Sequence, residues 1–68
     1  MASILQKTGD RIRKIRLAAG ISQEKLASLT KLHRTYISDV ERGNRNISII
    51  NLEKISKALG ASLSDLFR

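Results

Sequence analysis

Between Gln23 and Asn46 the chain reads QEKLASLTKLHRTYISDVERGNRN. Leu26, Ala27 and Leu29 recur at a spacing that places side chains on one face of a helix, and Ile37 and Val40, three residues apart, do so again further on. Only Thr30-Lys31-Leu32 separates the two runs, which leaves room for a tight turn and nothing longer. Ser22 is a helix-capping residue, and Glu24 suits the positive end of the helix dipole. The stretch therefore predicts a short helix from Ser22 to about Leu29, a turn, and a second short helix over about Arg34 to Arg42. The second helix buries Ile37 and Val40 and turns Arg34, Thr35, Ser38 and Asp39 outward.

The same punctuation extends to both sides. Gly20, Gly43 and Gly60 each follow an apolar-periodic segment, as glycines do in the left-handed position that ends a helix. Ser3 and Gln6 form a capping box that opens a first helix running to about Ala19, with Leu5, Ile12, Ile15 and Ala19 as its stripe; Gly9 weakens its first turns. A fourth helix starts at Ser48, where Ile47 can staple onto Leu52, and continues through Ile49, Ile55, Ala58 and Leu59. Ser62 with Asp65 opens a last turn or two through Leu63, Leu66 and Phe67. With no proline and no β-alternating run, the expectation is an all-α, compact five-helix fold filling residues 1–68 as one domain.

Hydrophobic residues make up 41% of the 68, enough for a single thin core, and a core that thin favours oligomerisation. Ile50 lies off the inward stripe of the fourth helix and needs a partner. With Leu63, Leu66 and Phe67 it makes a candidate dimer interface, although Leu63 or Phe67 can equally close the monomer core.

The absence of cysteine removes disulfides and thiolate zinc sites, and the single histidine leaves no pair with ligand spacing, so neither metal nor other cofactor is expected. No apolar run approaches a membrane span, and MASILQK lacks the basic and apolar regions of an export signal, so a cytoplasmic location is expected. The formal charge of +7 calls for a polyanionic partner. Residues 7–45 hold ten Lys and Arg against four acids, whereas residues 46–68 hold three against two, so the basic charge belongs to the amino-terminal two thirds.

Gln23, Leu26, Ala27, Leu32, Ile37, Val40 and the Glu41-Arg42-Gly43 run resemble the Cro/C1-type helix-turn-helix family over nearly the whole chain. Within it, LHRTYIS, VERG and RNIS (Leu32–Ser38, Val40–Gly43, Arg45–Ser48) are most similar to the controller proteins of restriction-modification systems. The resemblance implies a lambda-repressor-like fold with its helix-turn-helix at about residues 22–42. It also implies a homodimeric transcription regulator that binds double-stranded DNA through the major groove, with RNA polymerase as a further candidate partner. One position departs from the family. Where a glycine usually follows four residues after the small alanine, this chain has Lys31, so the turn must either hold a lysine at positive φ or take another shape.

In a helix lying in the major groove, the exposed residues near its start reach base edges, here Arg34 and Thr35, followed by Ser38 and Asp39. A guanidinium pairs bidentately with guanine O6 and N7, and a threonine can bond a base or offer its methyl to thymine. Asp39 can accept from cytosine N4 or pair with a nearby arginine. The controller resemblance adds Tyr36 and Arg45 as base contacts, Tyr36 being equally suited to packing with its hydroxyl on a phosphate. Arg42, Asn44 and Asn46 in the following loop would position the protein on phosphates. The family glutamine at Gln23 implies another phosphate contact. Ala27, Ile37 and Val40 set the angle between the two helices, and the resemblance pairs Arg16 with Glu41 as a structural ion pair.

Competing classes fit less of the chain. No nucleophile, base and acid share a plausible site and no phosphate-binding glycine loop follows a strand, so an enzyme is not expected. A membrane-surface helix would account for the basic first helix but not for the polar third one. An antitoxin or phage-type regulator domain acting mainly through protein contacts is the remaining alternative.

Overall fold

Four serines begin four helical elements. In the computed structural model, which describes residues 3–68, the hydroxyls of Ser3, Ser22, Ser48 and Ser62 each accept the backbone N–H three residues on, and these elements start at the following residue. They are α1 (Ile4–Ala18), α2 (Gln23–Thr30), α4 (Ile49–Ala58) and a closing 3₁₀ helix (Leu63–Phe67). The remaining element, α3 (Arg34–Glu41), starts after His33, whose side chain makes no capping bond. Both expected capping boxes form, Ser3 with Gln6 and Ser62 with Asp65. The backbone N–H and hydroxyl of Ser62 hold the Asp65 carboxyl below the usual carboxylate range. The fifth element is a 3₁₀ turn rather than an α-helix, and there are no strands among the described residues.

The elements end alike. Gly20, Lys31, Gly43 and Gly60 all have positive φ, and at each the next N–H reaches back to the carbonyl five residues earlier, closing a Schellman turn. Lys31 adopts the left-handed region at φ 60°, ψ 32°, so the turn keeps the shape that a glycine would favour, with a lysine in it. Such a residue costs about 1 kcal/mol.

Ile12, Leu26, Ile37, Ile55 and Leu66 are fully buried, one from each element, and α1 packs on α3 and the 3₁₀ helix while α2 packs on α3 and α4. Ala27 and Val40 complete the α2–α3 junction. Three apolar residues expected to face inward, and one expected on the surface, differ in placement. Leu29 is half-exposed because Thr30 takes the inward position, its hydroxyl donating to the carbonyls of Leu26 at 2.8 Å and Ala27 at 3.2 Å. Ala19 is exposed because α1 has ended before it. Ile49 is the first residue of α4, does not join the core and is 61% exposed. Leu66, expected in a dimer patch, is the core residue of the 3₁₀ helix with no exposed surface and has nothing to offer a second chain.

Gly9 explains itself through its neighbours. A Cβ there would fall on the carbonyl oxygens of Val40 and Glu41, so its absence lets α1 lie directly on the carboxyl-terminal end of α3. Gly43 is required twice over, by its positive φ and by the Gln6 backbone, whose Cα would lie 2.8 Å from an added Cβ.

Candidate nucleic-acid interface

Because α1 crosses the end of α3 without a side chain between them, Arg16 and Glu41 meet in the interior. Arg16 Nε donates to Glu41 Oε2 at 2.6 Å and a second guanidinium nitrogen donates to Oε1 at 3.0 Å. A third donates to the Ile21 carbonyl at 2.9 Å, so one arginine joins α1, the α1–α2 turn and α3. Both side chains are nine-tenths or more buried. Gln23, expected on a phosphate, gives one amide hydrogen to Glu41 Oε1 at 3.1 Å. Glu41 is its neighbour across the junction, and a buried carboxylate is the stronger local acceptor.

With α3 held at that end, its opposite face is presented to solvent. Arg34 and Thr35 stand exposed in the first turn, where the helix dipole is positive. Ser38 and Asp39 follow one turn later, half-buried, and Arg42 caps the helix from outside it rather than forming its last residue. Asn44, Arg45 and Asn46 are exposed in the loop that leads to α4.

Several of these side chains touch one another. Arg42 donates to the Ser38 hydroxyl at 3.0 Å and to Asp39 Oδ1 at 2.5 Å. Arg45 approaches the other Asp39 oxygen at 3.8 Å, and its guanidinium carbon lies 4.8 Å from the centre of the Tyr36 ring. Asn51, on α4, donates to the Tyr36 hydroxyl at 3.1 Å. Tyr36 is thus fixed at both ends, with its hydroxyl proton still available.

The structure gathers Tyr36, Ser38, Arg42 and Arg45 into one cluster and leaves Arg34 and Thr35 beside it. Asn51 was not foreseen. It occupies the third position of α4, where a polar residue reads as surface, and nothing in its spacing links it to Tyr36 fifteen residues earlier.

Residues 12–66 match the helix-turn-helix family. The chain is 61% identical over 59 residues to control protein C.BamHI of Bacillus amyloliquefaciens, covering 85% of this chain and 73% of that protein. The chain belongs to the helix-turn-helix family. A second relative of this helix-turn-helix protein, control protein C.MunI of a Mycoplasma species, is 46% identical over 68 residues and covers 98% of this chain and 92% of its own. The solved restriction-modification controller protein C.AhdI from Aeromonas hydrophila superposes with a TM-score of 0.91 at 48% identity, over 93% of this chain and 96% of its own. In the family's terms α2 and α3 are the two helices of the motif and Lys31 stands in its turn.

Proposed function

We propose that the protein is a sequence-specific DNA-binding transcription regulator of the restriction-modification controller kind. It acts as a homodimer that sets two copies of α3 into successive major grooves about 34 Å apart on a pseudo-palindromic operator. The observation that carries this reading is the exposed side of α3 and its following loop. Arg34, Thr35, Arg42, Asn44, Arg45 and Asn46, six exposed donor-bearing side chains of the base- and phosphate-contact types, lie there with the half-buried Tyr36 and Ser38, on a helix fixed from behind by a buried ion pair.

Arg34 is the principal base reader, toward guanine, with Thr35, Ser38, Tyr36 and Arg45 as further base contacts. Arg42, Asn44 and Asn46 serve phosphates, joined by Gln23 only through the amide hydrogen that Glu41 leaves free. The dimer contact falls to Ile50, 65% exposed on α4, with Phe67, 49% exposed on the 3₁₀ helix, and what Leu63 leaves uncovered where it packs partly buried against the core. RNA polymerase is a further candidate partner. Autoregulation follows from the controller likeness and places an operator upstream of the protein's own gene.

Selection of bound duplexes from a random pool tests the reading. A symmetric motif with half-sites one helical turn apart is expected, and recovery of no symmetric motif defeats the dimeric operator. With roughly four to six phosphates neutralised per dimer, log affinity should fall against log salt with a slope of about −4 to −5. Arg34→Ala should relax discrimination at one base pair per half-site by about 1–3 kcal/mol, read by competition between single-substituted duplexes. An equal loss on every duplex would remove Arg34 from the readers.

A further inference from the structure

Asp39 sits at the centre of the exposed cluster, and it is the only acid there. Its side chain is 24% exposed, against 59% for Arg42 and 51% for Arg45. Each carboxylate oxygen faces a different arginine: Oδ1 takes the 2.5 Å bond from Arg42, and Oδ2 lies 3.8 Å from Arg45. Neither arginine depends on Asp39 alone. Arg42 is also held by the Ser38 hydroxyl, and Arg45 by the face of Tyr36, which Asn51 in turn fixes from α4.

Two consequences follow from this closed set of contacts. The two guanidinium groups at the carboxyl-terminal end of α3 and in the loop that follows it are partly neutralised before any ligand arrives, and their directions are limited. A random duplex offers them phosphate charge and little else, because non-specific binding is almost wholly electrostatic. To take that charge the arginines must leave Asp39. A base edge in the right place can instead be met by Arg45, already directed by Tyr36 and Asp39, with less ordering left to lose.

We propose that Asp39 is a specificity-determining positioning residue, a tether that holds Arg42 and Arg45 in the free protein and so weakens binding to random DNA more than binding to the operator. The inference rests on the DNA-regulator reading above. Its physical basis is discrimination by an element that opposes the wrong partner, added to the contacts that favour the right one.

The test is a mutant cycle with two probes: the duplex enriched from a random pool by the unmodified protein, and a shuffled duplex of the same composition. Affinities are measured by fluorescence anisotropy for the unmodified protein, Asp39→Asn, the Arg42→Gln/Arg45→Gln pair, and all three together. Asp39→Asn should tighten the shuffled duplex by about two- to tenfold per protomer, the range expected for releasing two exposed ion pairs. It should tighten the enriched duplex less, so the ratio of the two affinities falls. In the Arg42→Gln/Arg45→Gln background, Asp39→Asn should leave the shuffled duplex nearly unchanged.

A gain of equal size in both backgrounds would mean that Asp39 merely repels phosphates, and would overturn the tether. Equal tightening of both duplexes would overturn it too. If the unmodified protein prefers no duplex, the regulator reading itself has failed, a different outcome from a preference that survives while the cycle shows no coupling. Guanidinium NMR of the unmodified protein gives a reading independent of any variant's folding. Slowed rotation of Arg42 in the free state is expected, and unrestricted rotation in the free state overturns the proposal.

Discussion

Glu41 and Asp39 are two acids on the same short helix, each between an arginine and further donors, and they do opposite things. Two residues apart on an α-helix means about 200° apart around its axis, so one carboxylate faces the core and the other faces solvent. Glu41 accepts from Arg16 twice and from Gln23 once in the interior. Asp39 meets Arg42 and Arg45 at the surface. The chemistry is the same; the surroundings differ. In the interior neither charge can be given back to water, so the pair acts as a joint. At the surface water substitutes readily for either partner, and the pairs act as a restraint that a ligand can open.

The largest effect should come from breaking the joint. Glu41→Ala leaves the Arg16 guanidinium buried without its counter-ion and should cost about 3–5 kcal/mol, measured by denaturant titration. If it cost no more than Asp39→Ala, burial would not be what separates the two sites. Gly9→Ala attacks the same joint from the backbone, driving a Cβ onto the Val40 and Glu41 carbonyls. About 1–3 kcal/mol should be lost, as for overpacking elsewhere. A neutral result would show that α1 can slide on α3 without disturbing the ion pair.

Asp39→Ala should change stability by about 1 kcal/mol or less, because its partners remain half in water. A third acid marks the small end of the comparison. Hydrogen bonds from Ser62 depress the Asp65 carboxyl, so its contribution is present above the ordinary carboxylate range and disappears as pH falls through and below about 4. Thermal melts of Asp65→Asn should therefore converge with those of the unmodified protein in acid and separate slightly near neutrality. Separation at both pH values would assign Asp65 a packing role instead of a charged one.

Much of the fold was legible because its signals are local. A serine hydroxyl reaches an N–H three residues away, and a glycine accepts positive φ wherever it stands, so the starts and stops of helices could be read without knowing the packing. Inward faces were less legible. Leu29 and Thr30 lie side by side, and hydropathy favours the leucine, but the threonine can satisfy its hydroxyl on the preceding turn and so can be buried. Ile49 falls on the predicted stripe but opens its helix, and stays outside the core. Leu66 reads as dimer surface and is core, because a stripe gives direction but not where the neighbouring elements end. The interface was legible one residue at a time, as a set of exposed donors. The contacts that organise those donors, Asn51 on Tyr36 and Gln23 on Glu41, cross between elements, and their spacing in the chain carries no trace of them.

The missing cap at His33 bears on how the protein comes into being. Eight residues without a side-chain cap are too few to form a helix in water by themselves, so α3 exists only when Arg16 and Ile12 of α1 and Leu26 of α2 are already in place around it. The reading surface is then an all-or-none property of the folded domain. A newly made or partly unfolded chain carries the same basic residues and can cling to nucleic acid by charge, but it has no weak version of sequence recognition.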